Sequence, residues 1–279
     1  TPATMSISDT VGGIGCLARD SVQTTSSDVI FLSNSGVRSL MRTIQEKSAP
    51  ERDLSKNVRN DLMSDVASQT LANIKSVYSE REGFYLLTMP VTQSVYCFDT
   101  KVILQDGSSR VTTWDSITPT CLASLRSGSV YIGKNGYIGL YSGYNDYQST
   151  YRMQYYTNHA DLGNVNQTSI LKKISVVVIG GTNQNVFIKW GFDFKTNYLS
   201  ATTTIPVQGV SEYGIAEYGT PTAPVTIYAE YSDGVALNTL KVSASGAGKV
   251  VQTGYESDIN GSQLSIQKIE IQAKNGKLS

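Results

Sequence analysis

Asp28-Val29-Ile30-Phe31-Leu32-Ser33-Asn34-Ser35-Gly36-Val37-Arg38-Ser39-Leu40 aligns without a gap on Gly128-Ser129-Val130-Tyr131-Ile132-Gly133-Lys134-Asn135-Gly136-Tyr137-Ile138-Gly139-Leu140, at a constant offset of 100 residues. Each copy reads as an apolar strand, a polar turn and a second strand closing on leucine; Gly36 or Gly136 gives the turn a residue that can take positive φ. Between the copies lies a third strand pair, Phe84-Tyr85-Leu86-Leu87 and Ser94-Val95-Tyr96-Cys97-Phe98-Asp99, joined through Met89 to Gln93 and followed by a strand from Ser109 to Trp114. The aromatics Phe31, Tyr85 and Tyr131 recur at intervals of 54 and 46 residues, close to the ~40 to 50 of four-stranded propeller blades. Residues 1–143 are therefore expected to form a partial β-propeller, with blades around 16–43, 83–115 and 120–142. A closed ring of about four to eight blades exceeds what this chain holds.

One segment has a different period. Leu54, Val58, Leu62 and Val66 stand four residues apart and the pattern runs on through Ile74 and Val77, after Pro50 and with Asp53 or Ser55 placed to cap. It predicts a helical insertion over 53–78, in one piece or two with a break near Ser68-Gln69-Thr70.

After Gly143 the chain alternates in long strands: Thr150 to Thr157, Leu171 to Gly180, Gln184 to Phe194 and Tyr198 to Val207, with Gly180-Gly181-Thr182-Asn183 as a hairpin turn. Glu212 to Pro224 reads as an irregular loop, and alternation resumes at Leu237 to Ser243, Lys249 to Tyr255 and Gln263 to Ala273. The phase slips between Ile266 and Ile269, which a β-bulge explains. The fold class expected is all-β: propeller blades with a helical insertion, then an antiparallel β-sandwich-like domain over 144–279.

Composition limits the chemistry. With 23 basic and 23 acidic residues and 16% charged side chains, no long-range field draws the protein to polyanions. Tyr outnumbers Phe and Trp at 17 against 6 and 2, beside 24 Gly, which suits strands, turns and half-polar contact surfaces. Cys16, Cys97 and Cys121 fit neither a disulfide framework nor a metal knuckle and read as buried thiols of a reducing cytosol. No run approaches the ~20 apolar residues of a membrane span, Ile174 to Ile179 being only strand length, so no membrane insertion is expected. The first residues, Thr1-Pro2-Ala3-Thr4, carry no initiator Met and no signal-peptide pattern, which suggests a processed chain or a fragment.

No catalytic, cofactor or metal residue is expected. His159 is the single histidine, which excludes a multi-histidine zinc site, and no G-x-S-x-G elbow supplies it with a nucleophile. Gly13-Ile14-Gly15-Cys16-Leu17-Ala18 spells a dinucleotide fingerprint but lacks the strand before it and the helix after it. Asp99, Asp106 and Asp115 could pair for glycoside work, yet they stand at turns, where Asp bonds local backbone. Asn166-Gln167-Thr168 and Asn260-Gly261-Ser262 read as loop residues in a chain without a secretory signal. Lys172-Lys173, Lys268, Lys274 and Lys277 read as solvated strand faces. Tyr144, Tyr147, Tyr151, Tyr155 and Tyr156, with Tyr213 and Tyr218, are the candidates for interface or pore contact. Base or sugar stacking is the competing use of such tyrosines.

The order of these segments resembles the tail nozzle proteins of short-tailed bacteriophages, the tail tubular protein B family. The resemblance rests on Phe31-Leu32-Ser33-Asn34-Ser35-Gly36-Val37-Arg38-Ser39-Leu40, the spacer with Asp53-Leu54-Ser55, Val95-Tyr96-Cys97-Phe98-Asp99, Thr112-Thr113-Trp114 and the hairpin in 128–141. It returns, less closely, in Ile269-Glu270-Ile271-Gln272-Ala273-Lys274-Asn275-Gly276-Lys277. It runs through most of 16–194 and implies a homo-oligomeric ring, typically hexameric, set below the portal and adaptor and in contact with tail adaptor and fibre proteins. Double-stranded DNA would pass through it non-specifically during ejection. Such a subunit sits in the virion tail after assembly in the bacterial host cytoplasm. Members are longer than 279 residues, so this chain would lack N-terminal blades. Two other readings stay open: a carbohydrate-binding or glycan-cleaving virion propeller, and a propeller scaffold for protein partners.

Overall fold

The computed structural model describes residues 14–46, 53–134, 136–162, 167–181, 183–205 and 237–278. The chain is mostly β, in several antiparallel sheets, and divides into two compact units, Thr1–Ser142 and Gly143–Ser279. Among the described residues no sheet closes on itself.

The first unit is built of three meanders, each taking its strands in chain order. The first sheet holds β1 (Gln23–Thr24), β2 (Val29–Ser33) and β3 (Gly36–Ser39); β3 runs into a short helix, α1 (Leu40–Glu46). Asp28 sets that junction, accepting the backbone N–H groups of Val29 at 2.7 Å and Met41 at 2.9 Å and the hydroxyl of Ser39. The second sheet holds β4 (Lys75–Ser79), β5 (Phe84–Met89), β6 (Ser94–Ile103) and β7 (Ser109–Trp114). The third holds β8 (Cys121–Ser124), β9 (Val130–Lys134) and β10 (Tyr137–Leu140).

These sheets stack face on face, and β5 shows why, since all six of its residues are buried. Successive strand side chains point to opposite faces. Tyr85, Leu87 and Met89, with Tyr96 and Phe98 of β6, therefore pack against Ile30, Leu32 and Val37 of the first sheet. Phe84 and Leu86, with Val95, pack instead against Val130 of the third sheet, with Leu122 alongside. Phe84, Trp114 and Tyr141 add an aromatic group, with Trp114 and Tyr141 stacked at 6.0 Å. Each such side chain taken from water is worth about 1.5–3 kcal/mol, so the doubly covered second sheet anchors the unit.

The helical insertion is shorter than the four-residue spacing predicts. A 3-10 turn at Lys56–Val58 leads into α2 (Arg59–Ser68), which buries Leu62 and Val66 in the core shared by the first two sheets. The helix stops at Ser68, at the expected break, but Ile74 and Val77 are not helical. Val77 sits in β4, paired with Leu86, because the edge of β5 offers a hydrogen-bond ladder that another turn of helix does not. Neither Asp53 nor Ser55 caps a helix through its side chain. Both are fully buried. Arg59 donates to Asp53 at 2.5–2.7 Å, and the Ser55 hydroxyl accepts the backbone N–H of Val37 at 3.0 Å, tying the spacer to β3.

The pairing also corrects the repeat. The last pair of the first hairpin is Ser33↔Gly36, whereas that of the second is Lys134↔Tyr137. The two hairpins thus correspond at an offset of 101, one residue from the gapless alignment, which reverses the face on which each aligned side chain lies.

The second unit has two sheets. One takes β11 (Tyr151–Tyr156), β12 (Ala160–Asp161), β14 (Asn185–Phe192), β15 (Leu199–Thr204) and β18 (Val250–Ile259), in the order β11-β18-β14-β15 with β12 also on β18. The other centres on β13 (Gln167–Gly180), flanked by β16 (Leu237–Ser243), β17 (Ala247–Gly248) and β19 (Leu264–Leu278). Leu171, Ile174, Val176 and Val178 of β13 share one core with Ile188, Trp190, Val251 and Tyr255 of the other sheet. Gly180-Gly181-Thr182-Asn183 is therefore no hairpin turn. Gly180, Gly181 and Asn183 take positive φ, and the chain leaves one sheet there for the other. The bulge expected between Ile266 and Ile269 is present: Val177 faces Lys268 while Val178 faces Ile266, leaving Gln267 over. Of the strand expected from Tyr198 to Val207, β15 covers Leu199–Thr204, and Val207, like the loop expected over Glu212 to Pro224, lies outside the described residues.

Candidate interface surfaces

The tyrosines singled out in the sequence do not form one stretch. Tyr144 and Tyr147 stand 42% and 54% exposed in the turn before β11, where Asp146 bridges Ser149 and Tyr147 takes φ 53°. β11 is an edge strand and distributes the other three by alternation. Tyr155, opposite Tyr255, is 50% exposed, Tyr151 is half-buried opposite Ile259, and Tyr156 lies on the other face opposite Gly254. Burial, reinforced by Tyr144 nearby, raises the Tyr151 phenol above its ordinary value. Tyr213 and Tyr218 lie outside the described residues.

Tyr156 leads to a group the sequence reading missed. On β18 the side chains of Gln252, Glu256 and Asp258 alternate with the core residues Val251 and Tyr255, so they share the outer face. The Glu256 carboxylate, 2% exposed, accepts Lys189 at 2.7 Å, Arg152 at 2.6 Å and the Tyr156 hydroxyl. Burial opposes its ionisation, but the hydrogen bonds from Lys189, Tyr156 and Arg152 outweigh that and hold its pKa at about 2. Arg152 also pairs with Asp258 at 3.0 Å and lies over the Phe187 ring at 4.4 Å. Tyr156 meets Tyr198 edge to face at 5.6 Å, and Tyr198 donates to Gln252. Charges and rings are thus paired off across the sheet. Arg152 and Glu256 stand 104 residues apart, and only the polar alternation along 252–258 signals them.

The remaining candidates are local. Asp99 accepts the N–H of Lys101 at 2.8 Å. Asp106 accepts the hydroxyl and N–H of Ser108 at 2.7 and 3.0 Å, and those bonds, with Lys56 beside it, lower its pKa to about 2. Asp106 stands in the turn its position predicts, whereas Asp99 lies within β6, opposite Phe84 and beside the irregularity in the pairing of β6 with β7. Asp115 is exposed. His159 packs on Phe194, ring centroids 4.2 Å apart. Of the G-x-G spelling, Gly13 lies outside the described residues; Cys16 bridges Ser33, and a three-residue 3-10 turn, not an α-helix, follows at Arg19–Ser21. No group of three or more metal-ligating side chains occurs among the described residues.

The buried-thiol expectation fails for two of three cysteines: Cys16 and Cys121 are exposed. Cys97 is half-buried between the second and third sheets, and its burial there raises its pKa to about 11. Cys121 instead belongs to an uncovered apolar face of the third sheet. Cross-strand pairs set Cys121, Gly133 and Ile138 in one row and Ala123, Tyr131 and Leu140 in the next. Ile138 is 79% exposed, Leu140 50%, and Leu125 beside them 52%.

Among known proteins, no family model and no curated protein matches the chain. Among solved structures it is similar to a tryptic core variant of the Cry1Da protein of Bacillus thuringiensis, at 13% identity and a TM-score of 0.24 over 92% of this chain. The chain spans 42% of that protein's length, and a likeness at this level carries no functional inference.

Proposed function

We propose that the chain is a structural subunit of a short bacteriophage tail, one of a ring of copies that conducts the viral genome. The observation that carries the reading is the stack of three consecutive meanders. The strands that open them lie side by side, β1 beside β4 and β4 beside β8, as the innermost strands of successive propeller blades do. The two-sheet second unit then corresponds to a sandwich-like nozzle domain. Balanced charge, 23 against 23, suits a wall that must not hold DNA, since each neutralised phosphate adds affinity. Light scattering and negative-stain images of the purified chain test the reading. Closed rings with a central hole are expected, and a monomer that stays monomeric with adaptor protein added would overturn it.

One observation favours a second reading, a glycan-binding virion module: Tyr156, Tyr198 and Phe187 share the outer face of the sheet with Arg152, Lys189 and Gln252. A glycan array decides it, specific signal lost in Tyr198→Ala being the result expected of that reading.

A further inference from the structure

Between the first two sheets lies a partly enclosed cavity of about 180 Å³, and its lining divides by chemistry. Ile30, Leu54 and Ile103 give it an apolar side, the first two buried and Ile103 exposed. The rest is polar, contributed by the turn between β1 and β2, the start of α1 and the strands β4, β6 and β7. That turn is held by its own bonds: the Thr25 hydroxyl donates to the Asp28 carbonyl at 3.0 Å and accepts the Asp28 N–H at 2.9 Å. The Asp28 carboxylate is spent on Val29, Ser39 and Met41. Arg42 is tethered by one bond, to the Gly107 carbonyl at 2.5 Å.

The groups left over are hydroxyls. Tyr78, Thr100 and Ser109 line the cavity, and none of their hydroxyls has a hydrogen-bond partner among the described residues. Ser109 is the most informative of the three. It is 1% exposed and its backbone N–H donates to the Leu54 carbonyl at 3.0 Å, yet its side chain meets the cavity unpaired. Side-chain groups buried this deeply are hydrogen-bonded as a rule, so Ser109 offers a donor and an acceptor to whatever enters.

Charge and size set the class of ligand. Arg42 and Asp28 are the charged side chains of the lining, one of each sign, so an ion of either sign meets a like charge. A neutral polyol meets none. Its hydroxyls donate and accept as those of the lining do, and the C–H face of a sugar ring suits the side formed by Ile30, Leu54 and Ile103. The volume is below the ~300–1,000 Å³ of sites that take drug-sized ligands, which limits the occupant to one ring.

We propose that this cavity binds the terminal unit of a neutral glycan, a single hexose-sized ring, with Tyr78, Thr100 and Ser109 as its hydroxyl contacts and Arg42 as a further donor. The site shares no residue with the aromatic face of the second unit and does not depend on the ring reading.

Saturation-transfer NMR and isothermal titration of the whole chain test it. The probes are the methyl glycosides of glucose, galactose, mannose and N-acetylglucosamine, beside the free hexoses, inorganic phosphate and a sialoside. At least one neutral methyl glycoside is expected to bind. Ser109→Ala and Tyr78→Phe each remove a hydroxyl that no protein group uses, so thermal melts should match the parent's or exceed it while glycoside affinity falls about tenfold. A purely structural role would move the melt and not the affinity. Failure of every neutral glycoside to bind would overturn the proposal, as would binding of phosphate, the sialoside or the free hexoses alone. Affinity lost in Tyr198→Ala but kept in Ser109→Ala would also overturn it, by assigning the sugar to the outer face of the second unit.

Discussion

Gly36 and Glu256 are the residues on which each unit's local geometry turns. Gly36 has φ +131°, and a Cβ there would run into the Ser55 hydroxyl and come within 3.0 Å of the Asp53 carboxylate. Gly36→Ala is expected to cost about 2 kcal/mol in chemical denaturation, from backbone strain and displacement of the Asp53 group. Glu256→Gln should cost about 2 kcal/mol at neutral pH, since three charge-assisted or hydroxyl bonds weaken at once. Its pH signature is more telling. The folded carboxyl titrates near 2 against an ordinary 4.5, so acid protonates the unfolded chain first. The stabilisation is complete above about 4.5 and declines as pH falls toward 2, and Glu256→Gln should flatten that part of the stability curve. At this scale the sequence was partly legible. The bonds of Asp106 in its turn follow from local chemistry, while Asp99 makes its bond to the Lys101 N–H from within β6 rather than from a turn, and Glu256 takes its partners from strands remote in sequence. Cys16 and Cys121 were misread because small apolar residues are buried as a rule, and β8 lies on an open sheet face.

Alternation predicted most strands, and the elements that departed from prediction did so where pairing overrode local pattern. The four-residue spacing through Val77 fits a helix until β5 claims β4 as its partner. Gly180-Gly181 has hairpin chemistry, yet β13 and β14 each find longer ladders elsewhere, with β19 and β18. The bulge in β19 is the contrary case, read correctly because a strand that keeps its apolar side chains on one face across a phase slip must carry an extra residue at the slip. Deleting Gln267 should remove it. Leu264 and Ile266, now packed against the core of the second unit, would turn to the opposite face, and a loss of about 3 kcal/mol or more is expected in thermal unfolding. The one-residue difference between the two hairpins was beyond the sequence, because gapless similarity of residues does not fix which of them pair.

The whole molecule combines zero formal charge with exposed apolar rows at one end of its first unit. Association through such rows should be nearly insensitive to ionic strength: between low and high salt the self-association constant is expected to change by less than about threefold, measured by light scattering. A charge-driven assembly would instead weaken steeply. The connectivity of the two units also sets the order in which they form. Every sheet of the first unit pairs strands that are neighbours in sequence. In the second, β11 must wait for β18, about 100 residues on, and β13 for β19, which ends at Leu278. Contacts that close long loops form slowly. On the ribosome the first unit can therefore fold while the rest is still being made. The second can pair β14 with β15 early but cannot complete either sheet until β18 and β19 emerge, and that interval is when the nascent chain is most exposed to aggregation and most in need of a chaperone.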